Sequence, residues 1–72
     1  MDEIRAELVA NVLNVLVEPG QVVEAGQTLI LLESMKMEIP VVAESSGTVN
    51  EVCVQAGDVV QEGDVLLTLR PR

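Results

Sequence analysis

Few side chains in this 72-residue chain can do chemistry. Histidine, the side chain whose unperturbed pKa suits proton transfer near neutrality, does not occur. The single cysteine, Cys53, has no second thiol to pair with and cannot supply a zinc knuckle. No base accompanies it, so it reads as a partly covered spectator on the face it shares with Glu51. Twelve Asp and Glu outnumber four Lys and Arg, for a formal net charge of −8. Of these acids, Glu18, Glu24, Glu44, Asp58, Glu62 and Asp64 fall in or beside turns and read as solvating charges. One group remains. Lys36 is the only lysine, and a neutral primary amine is a nucleophile. Composition alone leaves two readings of it open: an amine presented for modification, or an exposed surface charge.

The same absences narrow the class of protein. No catalytic set or metal-ligand set is evident, which speaks against an enzyme acting alone. A chain of charge −8 repels phosphate backbones, so a nucleic-acid partner is not expected. No apolar run reaches the ~18 residues of a membrane span. The start, Met1-Asp2-Glu3, is acidic where a secretory signal is basic. The expectation is a cytoplasmic chain without membrane contact, folded over residues 1–72 as one small domain. Apolar residues make up 49% of it and none is aromatic, so the core must be packed from Val, Leu and Ile.

The elements that position Lys36 follow from an internal repeat. Residues 12–33 align with residues 49–70 at an offset of 37, with identities that include Val12/Val49, Val15/Val52, Val17/Val54, Gly20/Gly57, Val22/Val59, Val23/Val60, Gly26/Gly63 and Leu29/Leu66. Both copies carry the frame G-x-V-V-x-x-G-x-x-L. Two copies imply two similar halves packed together, since a solenoid needs three or more. Short Val-rich runs bounded by glycine read as strands, over 4–9, 11–17, 21–24, 28–33, 38–43, 48–54, 58–61 and 65–70. Alternation places Leu13, Val15 and Val17 on one face, as it does Asn50, Val52 and Val54, and assigns Val15, Val17, Val52 and Val54 to the core. Pro40 lacks a donor, so its strand belongs at an edge or is bulged there. The eight strands suggest an all-β flattened barrel or sandwich. An open sheet is the alternative, and it would leave exposed edges.

Between strands 28–33 and 38–43 lies Glu33-Ser34-Met35-Lys36-Met37-Glu38. Tight hairpins want Asn-Gly, Asp-Gly or Gly-rich pairs, because φ is positive at one or both central positions. This connection has none of them, in a chain that uses turn glycines at Gly20, Gly26, Gly57 and Gly63. A local rule broken in one place marks a functional site. Adding 37 to Lys36 gives 73, one past the last residue, so the equivalent of this hairpin is where the chain ends. Lys36 is therefore expected at one pole and both termini near the other.

At these residues the sequence resembles the biotinyl/lipoyl attachment domains, over about residues 3 to 70. The match is to the biotin branch, whose hairpin reads Glu-Ala-Met-Lys-Met, with Ser34 where that motif most often has alanine. The whole looks most like the small stand-alone biotinylated proteins of bacteria. The resemblance implies two four-stranded antiparallel sheets with quasi-two-fold symmetry, and biotin attached covalently to Lys36 by a biotin protein ligase. It implies a biotin carboxyl carrier, non-catalytic itself, that serves biotin carboxylase and carboxyltransferase subunits and is monomeric when isolated. Met35 and Met37 read as recognition residues for the ligase and partner sites, or as packing on the sheet. Glu33 and Glu38 flank the hairpin as recognition residues or a solvated rim. The lysine stem plus the biotin chain would reach roughly 10–15 Å. Two alternatives stay open: a lipoate carrier modified on the same lysine, and an unmodified interaction module of the same fold.

Overall fold

The computed structural model describes residues 1–71. Eight strands form: β1 (Asp2–Arg5), β2 (Ala10–Val15), β3 (Val22–Val23), β4 (Thr28–Ser34), β5 (Met37–Val42), β6 (Gly47–Val52), β7 (Val59–Val60) and β8 (Val65–Pro71). They lie in two four-stranded antiparallel sheets, ordered β1-β8-β6-β3 and β5-β4-β2-β7. The offset of 37 carries Ala10–Val15 onto Gly47–Val52 and Thr28–Ser34 onto Val65–Pro71. Each sheet draws two strands from each half, and the pseudo-symmetry exchanges the sheets.

The backbone hydrogen bonds that extend the strand pairs within each sheet repeat with the same offset. Ala6 N donates to the Asp64 carbonyl at 2.8 Å, and Ala43 N to the Gln27 carbonyl at 2.9 Å. Val12 N and Val49 N donate to the carbonyls of Asp58 and Gln21, both at 2.8 Å. The expected first strand, 4–9, is displaced to Asp2–Arg5: Ala6 still bonds beside β8, to Asp64 and Gly63, and the chain then passes to the other sheet to begin β2. β3 and β7 are shorter than expected, since Gln21 and Asp58 are held in the preceding turns.

A second difference concerns which side chains face inward. Register shifts between Val12 and Asn14 in β2, and between Val49 and Glu51 in β6, mark β-bulges at Leu13 and Asn50. An extra residue restarts the two-residue alternation. Val12 and Val49 therefore point inward, at 2% and 1% exposure, while Leu13 is turned out. Beyond the bulge Val17 is buried as expected, whereas Val15, Val52 and Val54 are partly buried and pack against the core. The largest fully buried side chains come from β4 and β8, an interior strand of each sheet: Leu29, Ile30, Leu32, Leu66, Leu67 and Leu69. Among the described residues no polar or charged side chain is buried, so the core rests on aliphatic packing alone.

β5, which contains Pro40, is an edge strand, as its missing donor requires. β1 pairs with β8 so that Asp2 faces Leu69, which brings the chain ends together. From there β1 runs away, residues 6–9 cross over, and Asn11 of β2 pairs with Glu33, three residues before Lys36. The termini and the Lys36 hairpin thus lie at opposite ends of a molecule measuring 34 × 18 × 17 Å.

Candidate functional site

β4 and β5 pair in register from Ile30↔Val41 to Ser34↔Met37, leaving a two-residue loop of Met35 and Lys36. Both loop residues are left-handed, with φ of 53° and 65°. Positive φ at both central positions is the type I′ turn, whose twist matches that of paired strands. Among the described residues these are the only non-glycine positions with positive φ. Four glycines hold the other positive values, among them Gly20 (φ 91°) following Pro19 in a turn closed by Gln21 N donating to the Glu18 carbonyl at 3.1 Å. Left-handed backbone costs a residue with a side chain about 1–2 kcal/mol, so the Met35-Lys36 turn is a conformation the paired strands impose.

The turn lifts its side chains off the protein. Met35 is 91% exposed and Met37 is 62% exposed, so neither packs on the sheet. Met37 lies in register beyond Ile39 on the inward-facing side of β5, past the end of the core. Lys36 is exposed, and among the described residues it makes no ion pair with a carboxylate. Beneath the tip, Ser34 is half-buried, and Glu33 faces Glu38 directly across the two strands. The six residues singled out by sequence are therefore brought together in one hairpin: three flank or form its tip as exposed side chains, and three form its neck.

Outside the hairpin two readings change. Cys53 is exposed rather than partly covered, with Sγ 4.0 Å from a Glu51 carboxylate oxygen on the same face. Asp58 and Asp64 are turn clamps rather than free solvating charges: they accept from Gln55 N at 2.9 Å and Gln61 N at 2.8 Å. Gln21 and Gln27 do the same in the first half, accepting from Glu18 N and Glu24 N at 3.3 and 3.1 Å. The signal was present in the sequence, since each positive-φ turn glycine is followed by Gln or Asp. Among the described residues no group of three or more His, Cys, Asp or Glu is placed to hold a metal ion. Among the described residues there is no helix long and apolar enough to cross a membrane.

What this hairpin can do is present one exposed primary amine, in no ion pair among the described residues, at the end of a strand pair. The family described as biotin-requiring enzymes, of the biotin/lipoyl type, matches residues 4–69. The "Biotinylated protein TB7.3 homolog" of Mycobacterium leprae (strain TN) is 50% identical over 68 residues, covering 94% of this chain and 96% of that one. The "Biotin/lipoyl attachment protein" of Bacillus subtilis (strain 168) is 52% identical over 63 residues, covering 88% of this chain and 86% of that one. Among solved structures, a single-chain, multi-domain long-chain acyl-CoA carboxylase superposes with a TM-score of 0.94 at 35% identity. The match covers 99% of this chain and 7% of that much larger one.

Proposed function

The chain belongs to the biotin/lipoyl attachment family, and from that premise we propose that it is a biotin carboxyl carrier modified on Lys36. The observation that carries this reading is the type I′ turn built without glycine, which holds Lys36 at the exposed tip of β4 and β5. A primary amine free of ion pairs fits a group attached by an amide. Lys36 Nζ, once neutral, attacks the acyl carbon of biotinyl-adenylate; the C–N bond forms, the acyl–phosphate bond breaks, AMP leaves and a proton is released. A biotin protein ligase supplies that activated acyl group and recognises Met35 and Met37. Acylation removes the only lysine charge, taking the formal net charge from −8 to −9.

When bound, biotin supplies a ring nitrogen that takes up a carboxyl group and gives it to an acceptor. The protein contributes position rather than acid, base or metal. The strained turn fixes where Lys36 begins, and the aliphatic core holds β4 and β5 behind it. Tethering raises the effective concentration of the arm at a biotin carboxylase and a carboxyltransferase in turn. The similarity to part of a multi-domain carboxylase supports carboxylase partners.

The test is label transfer. Chain purified from its native host, incubated with biotin carboxylase, ATP and labelled bicarbonate, should take up label and give a streptavidin signal. The Lys36→Arg chain should do neither. A lipoyl-sized mass increment on Lys36 with no streptavidin signal would replace this reading with the lipoate carrier, and no increment at all would favour an unmodified module.

A further inference from the structure

The offset of 37 relates the outer faces of the two sheets, yet their chemistry differs. On the β1-β8-β6-β3 sheet the outward positions include Glu3, Arg5, Asn50 and Thr68. Arg5 pairs with Glu3, and Asn50 hydrogen-bonds to Thr68 at 3.2 Å and accepts from Arg70 at 3.3 Å. The equivalent positions on the sheet that carries the hairpin are Pro40, Val42, Leu13 and Leu31, with Leu16 where the other sheet has Cys53. Leu13, Leu16 and Val42 are 38%, 44% and 42% exposed, and Leu31 is half-buried. Leu31 pairs with Pro40 on one side and, on the other, with the polar Asn14 next to the bulged Leu13, so apolar side chains of three strands share this face around one asparagine. The same architecture accepts polar residues on the opposite sheet, so folding does not demand apolar ones here. An exposed apolar field of this kind marks an interaction surface.

We propose that this face is the docking surface of the enzyme that carboxylates the arm on Lys36, an inference that rests on the carrier reading above. Continuity with the tip is the first reason. The Leu31↔Pro40 row lies two residues along each strand from the Glu33↔Glu38 row, which is itself the neck of the hairpin. An enzyme that takes in the tip must lie against one flank, and this flank is the apolar one. Charge supplies the second reason. An enzyme that binds ATP and bicarbonate surrounds two anions with cationic groups, and such a rim complements Glu33, Glu38 and a chain of charge −8. A second copy of the chain would bring another −8 against the first, which opposes self-association through this face.

The pseudo-symmetry provides the test. Leu13→Asn with Leu31→Thr installs on this face the residues found at positions 50 and 68. The biotinylated double variant is assayed with purified biotin carboxylase, ATP and bicarbonate, with the carrier chain as the varied substrate. We expect complete biotinylation by intact mass, a KM for the carrier raised about tenfold and an unchanged kcat. Asn50→Ala with Thr68→Ala, on the other face, should leave KM within about twofold. An unchanged KM in the first pair with biotinylation complete would overturn the docking surface and leave the carrier reading standing. Absence of biotin from the wild type would overturn the carrier reading and the partner with it. A wild-type dimer that the first pair dissociates would assign the face to a second copy instead. Should the double variant not fold, wild-type chain labelled with nitrogen-15 and titrated with the carboxylase decides the matter. Amide signals of Leu13, Leu16, Leu31 and Val42 should broaden while those of Asn50, Cys53 and Thr68 persist; the reverse would overturn the proposal.

Discussion

Glu33 and Glu38 stand directly opposite each other on β4 and β5, a like-charged pair at the neck of the hairpin that carries Lys36. Residues so paired have Cβ atoms about 5 Å apart, and like charges there destabilise the pairing. Glu38→Gln should therefore stabilise the protein by about 0.2–0.5 kcal/mol at low salt. Screening should erase most of that gain at 1 M salt, where the Debye length falls to about 3 Å. Urea denaturation midpoints at both salt concentrations check this. A midpoint that drops at low salt would show that the pair supports the hairpin instead.

The turn itself opposes stability. Met35, at φ 53°, occupies backbone space that Asn adopts far more readily. Met35→Asn should raise stability by about 0.5–1 kcal/mol. In a domain of this size about 1 kcal/mol corresponds to roughly 4–8 °C in Tm, so thermal unfolding resolves the change. A lower Tm would mean that the two strands impose no strain on the tip.

Gly47 is needed for space rather than for backbone freedom. A Cβ placed there would lie 2.7 Å from the Arg70 carbonyl oxygen, where β6 passes β8. That oxygen belongs to the backbone of an interior strand and cannot move alone. Gly47→Ala should destabilise the protein by about 1–3 kcal/mol, as overpacking does. Chemical denaturation that finds no loss would show that β6 and β8 separate freely.

Much of this architecture was legible in the sequence because it is local or repeated. The offset of 37 reveals two halves, and Pro40 marks an edge. The absence of glycine at Met35-Lys36 exposes the unusual turn. The inward-facing set was harder to read, because a bulge is a property of two paired strands rather than of either alone. Simple alternation places Leu13 and Asn50 on the face of Val15 and Val52, and the bulges opposite β4 and β8 turn them out. The roles of Asp58 and Asp64 are hard to read for a different reason. Charge marks an acidic turn residue as solvating, whereas its position after a turn glycine points to hydrogen bonding with the backbone three residues earlier. The exposure of Met35 and Met37 decides against packing on the sheet, a choice that composition had left open.

On the carrier reading, one nitrogen, Lys36 Nζ, carries the functional group. Intact mass spectrometry of wild-type and Lys36→Arg chains, each incubated with biotin protein ligase, ATP and biotin, tests it most directly. One biotinyl increment is expected on the wild type, mapped to Lys36, and none on the variant, with both unfolding at the same temperature. An increment that persists on Lys36→Arg, or a wild type that takes up no biotin, would contradict it.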